Sequence, residues 1–253
     1  MEIEQVAAQL FTLRDFVKTP EDIAKSLEKV AAIGYKAVQA SALGPIEPEE
    51  LKKIARDNGL TICATHESGD LIRQEPEKVV EKLAELDCKY TAYPYPAGVD
   101  FTCTESVSSL IADLEKATSV LKAAGQVLTY HNHHHEFQKL NGEIILDKIY
   151  NECSIDGEID TYWIQYGGGD STAWCNKLKG RLPLIHLKDY KITAEPAIDM
   201  AEIGNGVLDF KSIIPAAEAA GCQWFIVEQD SCPGDPFDSL KQSFDYIKAN
   251  LVE

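Results

Sequence analysis

Short apolar runs alternate along the whole chain with longer segments whose apolar residues recur at helical spacing. The runs fall at 6–10, 36–40, 60–65, 90–93, 126–131, 157–163, 182–188 and 223–228, and each reads as a buried strand. Between them, Thr19-Pro20-Glu21-Asp22 opens a segment with Ile23, Leu27, Val30 and Ala31 on one face, which predicts a capped helix. Pro48-Glu49-Glu50, Thr104-Glu105, Asp209 and Asp235-Pro236 mark further starts, and weaker helical patterns lie at 75–86 and 171–178. Gly34, Gly59, Gly125 and Gly221 each stand between a helical segment and the next strand, where a residue of positive φ is wanted. Helix, glycine stop, short turn and strand recur with a unit of roughly 30 residues, the sequence form of β/α units.

Eight such units over 253 residues predict one closed (β/α)₈ barrel spanning residues 1–253. No GxGxxG follows the first run, which turns the reading away from a dinucleotide-binding open sheet. Gly204-Asn205-Gly206 is the nearest approach to a phosphate loop, and it reads equally as a turn entering the helix after Asp209.

Composition narrows the partners. With 24 basic and 41 acidic residues the net charge is −17, which repels phosphate backbones and anionic lipid, so neither nucleic acid nor a membrane surface is an expected partner. The N-terminal MEIEQVAAQL has no basic start and no long apolar run, and cytoplasmic residence is the expectation. Cys63, Cys88, Cys103, Cys153, Cys175, Cys222 and Cys232 are odd in number and form no CxxC pair, which predicts free thiols.

In a β/α barrel, reactive groups project from the C-terminal ends of the strands. Here the fifth run leads into His131-Asn132-His133-His134-His135-Glu136-Phe137, the sixth carries Glu158-Ile159-Asp160, the seventh ends His186-Leu187-Lys188-Asp189, and the eighth ends Glu228-Gln229-Asp230. A charge buried alone at such a place costs several kcal/mol, so these groups are expected to be paired or to bind a cation. Glu136, Asp160, His186 and Glu228 together make a mixed oxygen and nitrogen donor set suited to Mn²⁺, Mg²⁺, Co²⁺ or Zn²⁺. Taken singly, each has a plainer reading: His186 as a core histidine, Asp160 as a turn cap, Glu228 as a partner of Lys188, and His134 and His135 as a solvated loop.

These motifs, with Gln9-Leu10-Phe11-Thr12-Leu13-Arg14-Asp15 after the first strand and Asp160-Thr161-Tyr162-Trp163, resemble the sugar phosphate isomerase/epimerase family. These are the xylose isomerase-like barrels that include D-tagatose 3-epimerase and inosose dehydratase, and the likeness runs over nearly the whole chain. The resemblance implies a divalent metal, Mn²⁺ foremost, on Glu136, Asp160, His186 and Glu228. It also implies proton transfer by Glu136 and Glu228 through an enediolate, with a small carbohydrate as substrate. Some relatives carry their glutamate at the very end of the fifth strand, where this chain has His131, which makes His131 the alternative first ligand. Many relatives have glutamate where Gln39 stands. Gln9, Arg14, His66, His133, Trp163 and Lys188 are the substrate contacts so implied, and homodimers are common in the family. A lyase that expels a β-substituent, with His131 or His133 protonating it, is the second enzymatic expectation. A sugar-binding barrel is the non-enzymatic one.

Overall fold

The computed structural model describes residues 1–194 and 198–252. Eight parallel strands close into a barrel: β1 (Val6–Gln9), β2 (Ala37–Ala40), β3 (Thr61–His66), β4 (Tyr90–Tyr93), β5 (Val127–His131), β6 (Asp156–Asp160), β7 (Leu184–Leu187) and β8 (Trp224–Val227). Neighbours in the chain are neighbours in the sheet, and β1 closes on β8 with Val6, Ala7 and Ala8 opposite Phe225, Ile226 and Val227. The expected barrel is the one observed.

The strands read as continuous apolar runs because both of their faces are covered. One face packs outward on the helices, through Val6, Ala8, Val38, Leu128, Tyr130, Ile159, Ile185, Leu187, Phe225 and Val227. The other points into the barrel, whose lower interior is filled by Ala7, Ala37, Cys63, Ala64, Tyr90, Leu184 and Ile226. Since side chains alternate along a strand, the next inward position on several strands is polar: Gln9 follows Ala7, Gln39 follows Ala37, His186 follows Leu184 and Glu228 follows Ile226. The barrel is thus apolar below and polar at its C-terminal end.

The principal helices are α1 (Pro20–Ile33), α2 (Pro48–Asp57), α3 (Gly69–Gln74), α4 (Pro76–Glu85), α5 (Thr104–Ala123), α6 (Ile145–Glu152), α7 (Thr161–Tyr166), α8 (Ser171–Lys177), α9 (Phe210–Ala220) and α10 (Pro236–Asn250). Thr19 caps α1 by accepting from the Asp22 amide at 3.2 Å, and Ile23, Leu27 and Val30 form its buried face. Gly34 ends it at φ +127°, where an added Cβ would stand 2.6 Å from the Phe244 ring of α10. Small hairpins follow β5 (Lys139–Leu140 with Glu143–Ile144) and β7 (Asp189–Ile192 with Ile198–Ala201).

The sixth strand differs from expectation. It stops at Asp160, and residues 161–163, expected to continue it, open α7 instead. The Asp160 carboxylate accepts from the Trp163 amide at 2.9 Å and caps that helix, so the same residue ends the strand and starts the helix. All seven cysteines are free thiols, as expected. No described helix is long and apolar enough to cross a membrane.

Candidate active site

The polar inward residues meet at the C-terminal mouth in two tiers. In the lower tier Gln9 donates to Gln39 at 2.6 Å, and Gln39 donates to Glu158 at 2.7 Å. Glu158 Oε1 also takes His66 Nε2 at 2.6 Å and lies 3.1 Å from His186 Nε2. Burial alone would keep Glu158 protonated, but the facing rings of His186 and His66 outweigh it and bring its carboxyl down to about 2. Glu158 is therefore a buried anion between two histidines.

His186 links the tiers. Its Nε2 faces Gln39 Oε1 at 2.6 Å and its Nδ1 faces Glu228 Oε2 at 2.8 Å. Burial opposes charge on this ring, yet Glu158 and Glu228 raise its pKa to about 10. In the upper tier Lys188 is fully buried, with Nζ 2.8 Å from Glu228, 3.0 Å from Asp160 and 3.1 Å from Asp230. Its burial penalty is overcome by those three carboxylates, which hold it protonated. Asp160 and Glu228 share this cation unequally: burial pushes Asp160 up, whereas Glu228, also touching His186, is drawn down against the cost of burial.

His131, Asp160, His186 and Glu228 bring one donor atom each to within 4.8 Å of one another. Two of those side chains hold buried atoms that make no hydrogen bond among the described residues, His131 Nδ1 and Asp160 Oδ2, the latter meeting Lys188 as an ion pair only. Buried polar atoms are nearly always satisfied, so the unpartnered His131 Nδ1 converging with His186 and two carboxylates fits a divalent cation. The expected set therefore assembles at Asp160, His186 and Glu228, but not at Glu136.

Glu136 lies fully buried outside this group. Its carboxylate accepts from the Tyr130 hydroxyl at 3.1 Å and the His133 amide at 2.9 Å. Tyr130 points outward from β5 and His131, one residue on, points inward, so Glu136 follows Tyr130 to the outer side of the strand while His131 takes the place at the cluster. Burial raises the Glu136 carboxyl to about 7 in spite of those bonds. The two glutamates expected to face each other across a substrate are not brought together.

A cavity of about 620 Å³ stands over the upper tier, with Glu228 and His131 in its floor. Arg14, His66, His133, Trp163 and Lys188 also line it, whereas Gln9 lies beneath, reaching the site through Gln39. Burial holds His133 neutral, with its pKa lowered to about 3, and lowers that of His131 well below its ordinary value, helped by the charge of His186. The sequence reading placed Glu158 and Asp230 at the strand ends but gave neither a role in the site. Glu158 was signalled by a carboxylate two places before Asp160, hence on the same inward face.

The Gly204-Asn205-Gly206 turn does not open to the cavity as a phosphate loop. Its amides are taken by Asp189: those of Gly204, Gly206, Val207 and Leu208 all donate to this carboxylate at 3.1–3.2 Å.

The family model for xylose isomerase-like TIM barrels matches residues 27–250. The chain belongs to that family. An inosose dehydratase from Geobacillus thermodenitrificans (strain NG80-2) is 27% identical over 159 residues, which cover 55% of this chain and 53% of that protein. The chain thus matches about half of that relative's length. Among solved structures, a sugar phosphate isomerase/epimerase from Parabacteroides distasonis ATCC 8503 superposes with TM-score 0.83 at 20% identity, covering 99% of this chain and 96% of that one. An L-ribulose 3-epimerase superposes with TM-score 0.75 at 16% identity over 99% and 95% of the two chains. At these identities the likeness to the solved structures is one of fold.

Proposed function

We propose that this xylose isomerase-like barrel is a metal-dependent enzyme that removes a proton from the carbon beside a carbonyl in a carbohydrate and returns it to give an isomer or epimer. The observation that carries this reading is the cluster of His131, Asp160, His186 and Glu228, of which His131 and Glu228 open on the cavity, with the Lys188 ammonium beside it. A divalent cation on those four residues would supply Lewis-acid stabilisation of negative charge on a carbonyl oxygen. The chain's own groups do the remainder. Glu228, kept ionised by Lys188 and His186, accepts the proton from carbon. Lys188 donates toward the oxygen on which charge grows as the enediolate forms. His133, neutral and lining the cavity, carries a proton between hydroxyl groups, and Trp163 and Arg14 hold the sugar ring in place.

One observation favours a second reading. With Glu136 turned away, the cavity sets Glu228 beside the His131 and His133 imidazoles and the Lys188 ammonium without the second glutamate, and that set suits a lyase in which His131 or His133 protonates a departing β-oxygen. The inosose dehydratase match agrees with it.

Both readings are tested by incubating keto-sugars, keto-inositols and 3-keto-glycosides with the protein and Mn²⁺ in D₂O. An isomerase or epimerase gives product of unchanged formula with deuterium at the reacting carbon. A lighter, ultraviolet-absorbing enone identifies the lyase instead, and no turnover of any class leaves a sugar-binding barrel. In parallel, Asp160→Asn is expected to lose metal on dialysis that the wild type retains. Equal retention by elemental analysis would remove the cluster as the metal site.

A further inference from the structure

The loop after β5 carries a second group of donors that the cluster at the strand ends does not use. His133, His135 and Glu136 each bring one donor atom to within 4.8 Å of the others. His133 Nδ1 and His135 Nε2 are buried and make no hydrogen bond among the described residues. Glu136 is wholly buried, and beyond the Tyr130 hydroxyl and the His133 amide its only ion-pair contact among the described residues is His135 Nε2 at 3.8 Å. The carboxylates of the cluster are better compensated, since Glu158, Asp160 and Glu228 each have a histidine or the Lys188 ammonium within 3.1 Å. A buried carboxylate short of positive charge, beside two imidazole nitrogens without partners, is completed by a cation.

The loop is held in place around these donors. Phe137 is seated against Gly167 and Gly169, where an added Cβ would stand 2.4 and 2.8 Å from its ring. Tyr95 packs edge-on against His133 at 5.3 Å and against His135 at 5.4 Å, and Phe101 lies against His135 at 5.8 Å. The two imidazoles are stacked 5.3 Å apart, within 8° of parallel. A metal lies near the plane of each ring that binds it, and in a tetrahedral site two ligand nitrogens stand about 3.3 Å apart for Zn–N bonds of about 2 Å. Binding therefore turns one ring out of the stack, and that ring is His135, whose side chain is 20% exposed.

We infer that His133, His135 and Glu136 form a second divalent-cation site, separate from the cluster of His131, Asp160, His186 and Glu228. Two imidazoles and one carboxylate suit Zn²⁺, with water in the fourth position. An ion on His133 Nδ1 leaves the ring proton on Nε2. An occupied site thus makes His133 a donor only, and its proton-carrying role toward the cavity belongs to the empty site. The site stands independently of the reaction proposed above.

The test is equilibrium dialysis of the full chain against Zn²⁺ under reducing conditions, read by elemental analysis. The wild type is expected to hold two ions, Asp160→Asn and His135→Ala one each, and the double variant none. A wild type with a single ion that Asp160→Asn loses overturns the second site, and so does a His135→Ala variant that keeps both ions. One ion lost in His135→Ala and none in Asp160→Asn keeps the second site and removes the cluster, so the two metal readings fail separately. Glu136→Gln preserves the shape of the buried side chain and is expected to weaken the second ion at least tenfold; unchanged affinity overturns the site. His134 is exposed, and His134→Ala is expected to keep both ions. Loss of one ion there, with none lost in His135→Ala, puts the ion on the surface of the loop and overturns the inference. Co²⁺ in place of Zn²⁺ reads the donors: d–d bands without thiolate charge transfer are expected, and a charge-transfer band assigns the second ion to a cysteine instead.

Discussion

Lys188 is a full charge in the barrel interior, and it is tolerated there because Asp160, Glu228 and Asp230 surround it. Taking the ammonium away leaves three carboxylates with too little compensation, so Lys188→Met is expected to cost about 3–5 kcal/mol of stability by denaturant titration. A divalent metal on Asp160 and Glu228 would restore part of that charge balance. Mn²⁺ should accordingly raise the melting temperature of Lys188→Met by more than that of the wild type, and an equal rise would mean that metal and lysine do not share these carboxylates. His131 and His133 each give a pH dependence of definite sign. His131 and His133 are held neutral by burial, with folded pKa values below the ordinary 6.5, His133 at about 3. The unfolded chain therefore binds more protons than the folded one below pH 6.5. Their contribution to stability is complete above pH 6.5 and is lost as pH falls toward the folded values. Glu136, raised to about 7, and His186, raised to about 10, act in the opposite sense over this range, so the neutral histidine is read by difference: lowering the pH from 7 to 5 should destabilise the wild type relative to His133→Asn, and a constant difference between the two melts would place the proton uptake elsewhere.

At the scale of elements, Asp189 organises the turn between β7 and α9. Its buried carboxylate accepts the amides of Tyr190, Gly204, Gly206, Val207 and Leu208. Asp189→Ala strips these amides of their acceptor, and with water reaching part of the turn the loss is expected to be roughly 2–4 kcal/mol, with Asp189→Asn milder. A change within about 0.5 kcal/mol for the alanine variant, the ordinary range for a surface site, would show that the turn holds by other means. The same elements show what can be read from sequence. Strands β1–β5, β7 and β8 were legible because a parallel strand covered on both faces writes itself as an apolar run, and α1 because Thr19, Pro20 and Gly34 punctuate it. β6 was over-extended since Tyr162 and Trp163 look like strand residues, while the Asp160 cap that turns them into α7 depends on backbone geometry. At the site, Asp160, His186 and Glu228 were legible from strand ends. His131 rather than Glu136 follows from alternation along β5, whereas where Glu136 turns in the following loop is decided by the outward Tyr130 hydroxyl, a contact that spacing does not encode. The turn at Gly204-Asn205-Gly206 had both readings open until the position of Asp189 closed one of them.

At the scale of the whole molecule, 41 acidic residues against 24 basic ones place an excess of −17 on one barrel. That excess is not evenly consequential. Exposed pairs such as Lys53 with Asp57 and Lys241 with Asp245 contribute little each, and the buried pairs of the site lie beyond the reach of mobile ions. What salt acts on is the remaining repulsion among surface carboxylates, which favours any state that spreads them apart. At 0.01 M salt the screening length is about 30 Å, enough to couple carboxylates across the barrel, and at 0.15 M it is about 8 Å, enough only for neighbours. Raising NaCl between these concentrations at pH 7 should therefore raise the melting temperature, by a few degrees for a chain of this size. The shift belongs to the surface, so Lys188→Met, whose lost charge is interior, should show the same increment as the wild type from its lower starting point. A melting temperature that falls with salt would mean that attractive surface pairs outweigh the net repulsion, and the acidic excess would then have to be arranged in compensated networks rather than spread over the barrel.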